Sequence, residues 1–580
     1  NCRKQALGNS LGKDGRSGRR GGGDVWSELQ GQTGVKMRDQ RLQRETHRRL
    51  ARYSSVRGRE VQPGEFWDVI VITAADKQQE RAYQQQIADK LARKELPLGV
   101  RYHVFSDPPG PKIGNGGSTL YALRCLHQLY PDELDSFTVM LIHAGGYSQR
   151  LPHASALGKI FTAVPFGDPV YQMIDLKLAI YIDFPSNMKP GVLVTCADDI
   201  ELYSSQETAV TFDRPGITAL AHPSTLAIGT THGVFVLKNP TKNLASCRFN
   251  PVNPTFTSPL WRKCANRAPS PLTRVRQART PIPCSEIVYT DSLFYMDHPT
   301  AKLLLGFFEE SGGVQCEIDA YGDFLQALGP DATLDYTENT ANVSNVESQL
   351  TDVRRKIYFL LRATDFTVVL LNNSKFYHIG TLQEYLHHFT SDAQLRAELG
   401  LQANVFSIVP DQDVHKKACV IQSVLDAQCR VSAHTVIEYS RLGPGVSVGE
   451  SCIISGSCIS IRSAIPDKSF VSSLSLVIDG RLMYATILFG TEDDLKRSAA
   501  SLSDLNALQI FGKSLPRCLE LWGIPVSEKL FSGDRKSFVE RPSLPGVRNF
   551  TRVCRGVSGD AHRRVQPVAS AFGRCGEAVD

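Results

Sequence analysis

The sequence predicts an α/β fold in two parts, a mostly parallel sheet followed by a left-handed parallel β-helix, and two patterns carry that expectation. Between residues 66 and 370, β-branched apolar runs alternate with stretches of helical length, as in sheets whose working loops lie at strand C-termini. From Cys419 to Val471 the apolar period becomes six. Leu425, Val431 and Ile437 form one series, Leu442, Val448 and Ile454 a second, and Ile459, Ile465 and Val471 a third, each offset by five from the last. Gly443, Gly445, Gly449 and Gly456 mark corners. A six-residue repeat with small corners makes one flat side of a triangular coil per hexad. A β-sandwich fragment is the competing reading of that segment.

The elements follow in order. Asp68–Ala74 is a buried strand by its continuous β-branched run, and the Gln/Glu/Lys-rich stretch from Asp76 to about Lys94 is a solvent-facing helix. Tyr102–Phe105 is a second strand, followed by a Pro/Gly loop from Asp107 to Gly117 and a helix from Ser118 to about Tyr130. Phe137–His143 is the third strand. A helix over about Val170–Asp183 leads to the fourth, Val192–Cys196. Ile217–Ala221, Gly233–Leu237 and Ile287–Tyr295 extend the sheet, with a helix at Thr300–Glu310.

Composition narrows the class. Of 580 residues, 42% are apolar and 21% charged, which excludes a wholly disordered chain. No apolar run approaches the roughly 20 residues of a membrane span, so no membrane partner is expected. Asn1-Cys2-Arg3-Lys4 opens no apolar leader, and Met37, the first methionine, reads as a start. Fourteen scattered cysteines without a Cys-x-x-Cys pair suit reduced thiols in a cytoplasmic protein. The net charge of +6 is uneven: residues 1–62 carry +9, 246–285 carry +7 and 535–580 carry +5, leaving −15 for the rest. These three basic stretches lack periodic order, and 246–285 holds seven prolines. No aromatic platform interleaves their arginines, so they are expected to be flexible or non-native sequence, with no nucleic-acid partner.

The most informative segment runs Leu141-Ile142-His143-Ala144-Gly145-Gly146-Tyr147-Ser148-Gln149-Arg150-Leu151-Pro152, with Gly158-Lys159 after it. A buried strand enters two glycines, whose N–H groups approach a phosphate closely, and two cations neutralise a polyphosphate. It is not a P-loop, because Ile160 follows Gly158-Lys159.

This loop resembles the signature of the nucleotide-sugar pyrophosphorylases, Gly-Gly-x-Gly-Thr-Arg-Leu followed by Pro-Lys. Here Ser148-Gln149 replace Gly-Thr, and Gly158 replaces the proline. Together with Lys112–Thr119, Thr195–Ile200 and Phe376–Thr381, the wording is similar to the fucose-1-phosphate guanylyltransferase (GDP-L-fucose pyrophosphorylase) family over about 60–245 and 286–533. The resemblance implies a Rossmann-like nucleotide-diphospho-sugar transferase sheet. It also implies a reaction in which GTP and L-fucose 1-phosphate give GDP-L-fucose and pyrophosphate. A catalytically impaired, nucleotide-sugar-binding variant or regulatory paralogue is the alternative, because 246–285 stands where sheet-forming sequence is expected.

The resemblance also distributes roles. Arg150 would stabilise the β/γ-phosphates, Lys159 the α-phosphate and incoming sugar phosphate, and Gly145 and Gly146 would supply backbone donors. Mg²⁺ would be held by Asp198, at the exit of the fourth strand, with Asp323 or Asp319 completing the site. Asp199 is expected to cap a following helix. Gly114, Asn115, Gly116 and Gly117 are expected against the base or ribose, and Thr230, Thr231, His232, Gly233 and Asp291-Ser292 against the sugar. Phe376–Thr381 reads as a linker without a catalytic role. His434 is the only histidine inside the six-residue repeat, so the coil is expected to be structural or to mediate homo-oligomer assembly.

The expected divisions are a basic flexible or non-native segment at 1–62 and a nucleotidyltransferase domain at 63–371, with an atypical insert at 246–285. Linker helices at 372–418, a short β-helix with a helical cap at 419–533 and a disordered or variant tail at 534–580 follow.

Overall fold

In the computed structural model the described residues are 22–205, 210–225, 233–237, 287–329, 332–409, 413–478, 481–494 and 502–521, with isolated positions at 229, 254–255 and 497. Thr230, Thr231 and His232, the 246–285 stretch apart from Pro254–Thr255, and all of 534–580 therefore lie outside them.

The fold is mixed α/β with parallel sheets. Strands β1 (Val69–Ala74), β2 (Arg101–Ser106), β3 (Thr138–His143) and β6 (Gly191–Cys196) lie in the order β2-β1-β3-β6, all parallel. A small hairpin, β4 (Ala163–Val164) with β5 (Tyr171–Gln172), stands between β3 and β6 in the chain. Val69, Ile70, Val71 and Ile72 have no exposed surface, and burying each contributes about 1.5–3 kcal/mol. Both faces of β1 are covered, which accounts for its unbroken apolar run. Helix α2 (Lys77–Ala92) is capped by the Asp76 carboxylate, which accepts from the N–H groups of Gln78 and Gln79.

Beyond β6 the sheet turns antiparallel. β11 (Ile287–Asp297) pairs with β6, with β8 (Ile217–Thr225) and with β9 (Val234–Leu237), which also pairs with β10 (Pro254–Thr255). β12 (Phe366–Leu370) runs parallel beside β8. The four parallel strands thus deliver their C-terminal ends to one edge.

Three local expectations are corrected. Helix α3 (Gly114–Leu129) starts four residues earlier than the pattern suggested, so Gly114 to Gly117 form its first turn. Asp199 caps no helix: it opens strand β7 (Asp199–Tyr203). The linker after residue 371 begins with a strand, β13 (Ser374–His378), antiparallel to β7, before helices α8 (Leu382–Thr390) and α9 (Ala393–Leu399). Helices α4 (His153–Leu157), α5 (Met173–Ile180), α6 (His298–Glu310) and α7 (Leu350–Leu361) complete this part.

The basic N-terminal stretch also departs from expectation. Helix α1 spans Gly22–Val56, and within it Leu42, Tyr53 and Val56 are buried in the core. Three of its arginines, Arg48, Arg49 and Arg52, converge on Asp183, and just past its end Arg57 lies 3.7 Å from Asp175. Residues 38–56 are therefore packed protein. Leu42, Thr46, Arg49, Tyr53 and Val56 recur every three or four residues, a buried helical stripe hidden in a composition dominated by arginine.

The hexads stack. Leu425, Leu442 and Ile459 are register partners in successive parallel strands, as are Val431, Val448 and Ile465, and Ile437, Ile454 and Val471. Two sixes and a five make a 17-residue step, which is the register shift from Leu425 to Leu442. The stack ends in a long hairpin, β14 (Ser469–Ile478) with β15 (Arg481–Gly490). It also packs on the α/β part: the His153 ring lies 4.8 Å from Tyr385 and 5.8 Å from Phe470, and the Tyr385 hydroxyl donates to Glu438 at 2.6 Å. Among the described residues no helix is long and apolar enough to cross a membrane.

Candidate active site

The site lies where β1, β3 and β6 end. After His143 the chain turns at Gly145 and Gly146, the latter at φ +117. The space there is tight for a side chain on Gly145, because an added Cβ would lie 3.1 Å from the Ala74 carbonyl carbon. Thr73 and Gln79 accept from the N–H groups of Gly145 and Gly146 at 3.4 and 3.3 Å, long bonds that a better acceptor would displace. Tyr147 donates to Asp76, tying the loop to the start of α2.

Ser148 sits at φ +43, a conformation in which glycine is relaxed and serine is strained. That is the position where the related signature has glycine. Arg150 is held through its backbone, whose carbonyl accepts from the Leu382 N–H at 3.1 Å. Its guanidinium is exposed and makes no hydrogen bond or ion pair among the described residues.

Gly158 then passes over Tyr83 at φ +88, and an added Cβ would overlap the Tyr83 ring. Tyr83 is itself fixed, donating to the Ala144 carbonyl at 3.1 Å. Proline cannot adopt this φ, so the glycine in place of the related proline has a local cause. Gly158→Ala is expected to destabilise by about 1–3 kcal/mol and to slow turnover by displacing Lys159. Thermal unfolding and pyrophosphate release measured together check it.

Lys159 reaches across to β6, where its Nζ is 2.8 Å from Asp198 Oδ2. His378, from β13, lies 3.7 Å from the same oxygen and 3.1 Å from Glu384. The Ile379 N–H donates to the Asp198 carbonyl at 2.7 Å. Burial opposes charge on Asp198, but Lys159 and His378 overturn it and hold the carboxyl well below its usual range. Burial likewise works against the His378 cation, yet Asp198 and Glu384 raise it to about 10. Lys159 is raised too, because Asp198 outweighs its burial. The strand end therefore holds two cations around one carboxylate. Asp199 points away from it, into a buried pair with Lys177.

The expected nucleotide residues divide. An added Cβ on Gly114 would overlap the Ile318 carbonyl, and one on Gly116 would stand 3.0 Å from it. Gly116 donates to that carbonyl at 2.9 Å, and Asn115 Oδ1 accepts from the Ala320 N–H at 2.8 Å. Gly117 packs against Ile113. These residues dock α3 on the 318–320 segment, which explains the glycines by close backbone approach. Thr119, one turn on, lies 2.8 Å from Nε2 of His143, so the helix start abuts the end of β3.

Asp323 is no free ligand. It is 1% exposed, paired at 3.0 Å with buried Arg354, and accepts from the Asp319 N–H at 2.8 Å. Asp319 caps the same turn by accepting from Tyr321. Both oxygens of Asp323, the expected second metal ligand, are engaged inside a core. Gly233 and Asp291 lie together, with the Asp291 N–H donating to the Gly233 carbonyl at 3.0 Å.

The fucose pyrophosphorylase domain family matches residues 131–538, which include the glycine loop, Lys159, Asp198 and His378. The chain belongs to the fucose pyrophosphorylase family. A human protein named fucose-1-phosphate guanylyltransferase is 57% identical over 507 residues, covering 85% of this chain and 83% of its own. A mouse protein of the same name is 55% identical, covering 85% and 86%. An Arabidopsis thaliana protein named bifunctional fucokinase/GDP-fucose pyrophosphorylase is 23% identical over 430 residues, 67% of this chain and 36% of that one. Strands β1 and β2 and helix α2 precede the family match, yet the strands complete the sheet beside β3, β1 supplies Thr73, and α2 with its cap supplies Asp76, Gln79 and Tyr83 around the family's glycine loop.

Sequence reasoning gave Phe376–Thr381 no role and missed His378. Its signal was present, as a segment of the resemblance, but the pairing of β13 with β7 that carries it to Asp198 is a contact across more than 170 residues.

Proposed function

We propose that this chain transfers GMP from GTP to L-fucose 1-phosphate, releasing pyrophosphate and forming GDP-L-fucose. The observation that carries this reading is the Lys159–Asp198 pair, set at the strand ends beside a glycine turn and an Arg150 that is unpaired among the described residues. The identity to proteins named for that activity supports it.

A phosphate oxygen of the sugar phosphate attacks the α-phosphorus in line. The bond to the β-phosphate oxygen breaks, and pyrophosphate leaves with that electron pair. The work of the protein is positioning and charge neutralisation. Gly145 and Gly146 present N–H groups to the triphosphate, exchanging their long internal bonds for charged ones. Arg150 swings onto the β/γ-phosphates. Lys159 neutralises the α-phosphate as negative charge gathers there, and Gly233 with Asp291 faces the sugar.

The donor set bears on Mg²⁺. One hard carboxylate, Asp198, stands at the strand end, with Lys159 and His378 as its partners. A single carboxylate completed by phosphates and water suits Mg²⁺, which keeps most of its ligands outside the protein. Asp198 would hold the ion, which when bound neutralises phosphate charge.

On the same reading the catalytic part, 63–371, is a Rossmann-like nucleotide-diphospho-sugar transferase domain, and the 17-residue stack within 419–533 is a left-handed parallel β-helix. The protein works in the cytoplasm on small-molecule substrates, without nucleic acid or membrane, and the coil offers a surface for homo-oligomers. The test is pyrophosphate release with Mg²⁺, L-fucose 1-phosphate and each of the four nucleoside triphosphates. Release with GTP alone is expected. No release from cooperatively melting protein that GTP-Mg stabilises would replace the reading with a binding-only variant.

A further inference from the structure

We propose that His387, His388 and Asp392, at the end of α8 and the turn into α9, form a binding site for a divalent transition-metal ion of the zinc type. One ligand atom from each of the three lies within 4.8 Å of the others.

The hydrogen bonds of His388 decide its tautomer. Nε2 lies 3.2 Å from the carbonyl oxygen of His378, which only accepts, so Nε2 carries a hydrogen. Nδ1 faces Asp392 Oδ2 at 3.0 Å. With Nε2 tied to a backbone carbonyl, Nδ1 is the ring nitrogen left to ligate, and it already stands beside a carboxylate oxygen. Bonds of about 2.0–2.1 Å to a tetrahedral ion place neighbouring ligand atoms roughly 3.3 Å apart, close to the 3.0 Å between His388 Nδ1 and Asp392 Oδ2, while the exposed His387 ring must turn inward from within 4.8 Å.

The surroundings support ligation. The Nε2–H bond to a backbone carbonyl fixes the His388 ring in the orientation that metal-bound histidines use. Asp392 is oriented by its other oxygen, Oδ1, which accepts from the N–H groups of Gln394 and Leu395 at 3.1 and 3.0 Å. His387 is exposed and brings the third donor, leaving the remaining positions to water. Two imidazoles and one carboxylate select zinc-type ions over Mg²⁺ or Ca²⁺, which prefer all-oxygen shells. Through the His378 carbonyl, an ion here would brace β13 at the edge of the active site.

The test uses the full chain, stripped with a chelator and titrated calorimetrically with Zn²⁺, then with Co²⁺ followed by absorption. One ion per chain is expected. His387→Ala removes an exposed side chain, and Asp392→Asn keeps the α9 cap while losing the charge, so both variants should fold. Each is expected to weaken binding by about tenfold or more. The Co²⁺ form should show visible bands without thiolate charge transfer. No binding by the unaltered chain, unchanged affinity in both variants, or strong thiolate bands from one of the fourteen cysteines would each overturn the proposal.

Discussion

Lys159→Ala is expected to abolish GTP-dependent pyrophosphate release while the protein still melts cooperatively. Lys159 Nζ is a fixed cation 2.8 Å from Asp198, with its side chain about one-fifth exposed, and it arrives there through the Gly158 turn. A donor preorganised against developing phosphate charge contributes about 3–4 kcal/mol to the barrier, or 10²–10³ in rate. The fold has little to lose. The methylenes of Lys159 fill no sealed core, and Asp198 keeps His378 and the Ile379 N–H after truncation. Single-turnover rates separate this from weakened binding, since a purely binding lysine would raise KM and spare kcat. An unchanged rate would sink the assignment of the phosphate loop.

What was legible in the sequence follows from how local each signal is. The stack of short strands could be read because its period is written in consecutive residues: sixes offset by five fold into a 17-residue step with Leu425 under Leu442 under Ile459. The parallel strands and the glycine loop were legible for the same reason, since β3 and its turn are one continuous segment. Helix α1 was lost because charge was summed over 62 residues. The sum hides that Arg48, Arg49 and Arg52 spend their charge on Asp183, over 130 residues away. His378 was lost because strand pairing with β7 is a tertiary choice. The glycines at 114 and 116 were read as ligand-facing, when the close neighbour is the protein's own Ile318 backbone. A glycine reports that something approaches, not what approaches.

Asp323→Asn is expected to cost about 3–5 kcal/mol of stability and to leave the response to Mg²⁺ unchanged. The pair it breaks has both side chains 1% exposed, so removing one charge strands the other in a medium that cannot solvate it. Arg354 retains neutral acceptors, the Asn339 carbonyl and Asn342 Oδ1, which keep its hydrogen bonds but not its counter-charge. Burial pushes the Asp323 carboxyl up to about 6 even against Arg354, so at pH 7 it is ionised and the pair is intact. Urea melts of both proteins at pH 7 read the loss. If the variant instead kept its stability and needed far more Mg²⁺ for turnover, Asp323 would be a metal ligand after all, and the Arg354 pair would have to open when substrate binds.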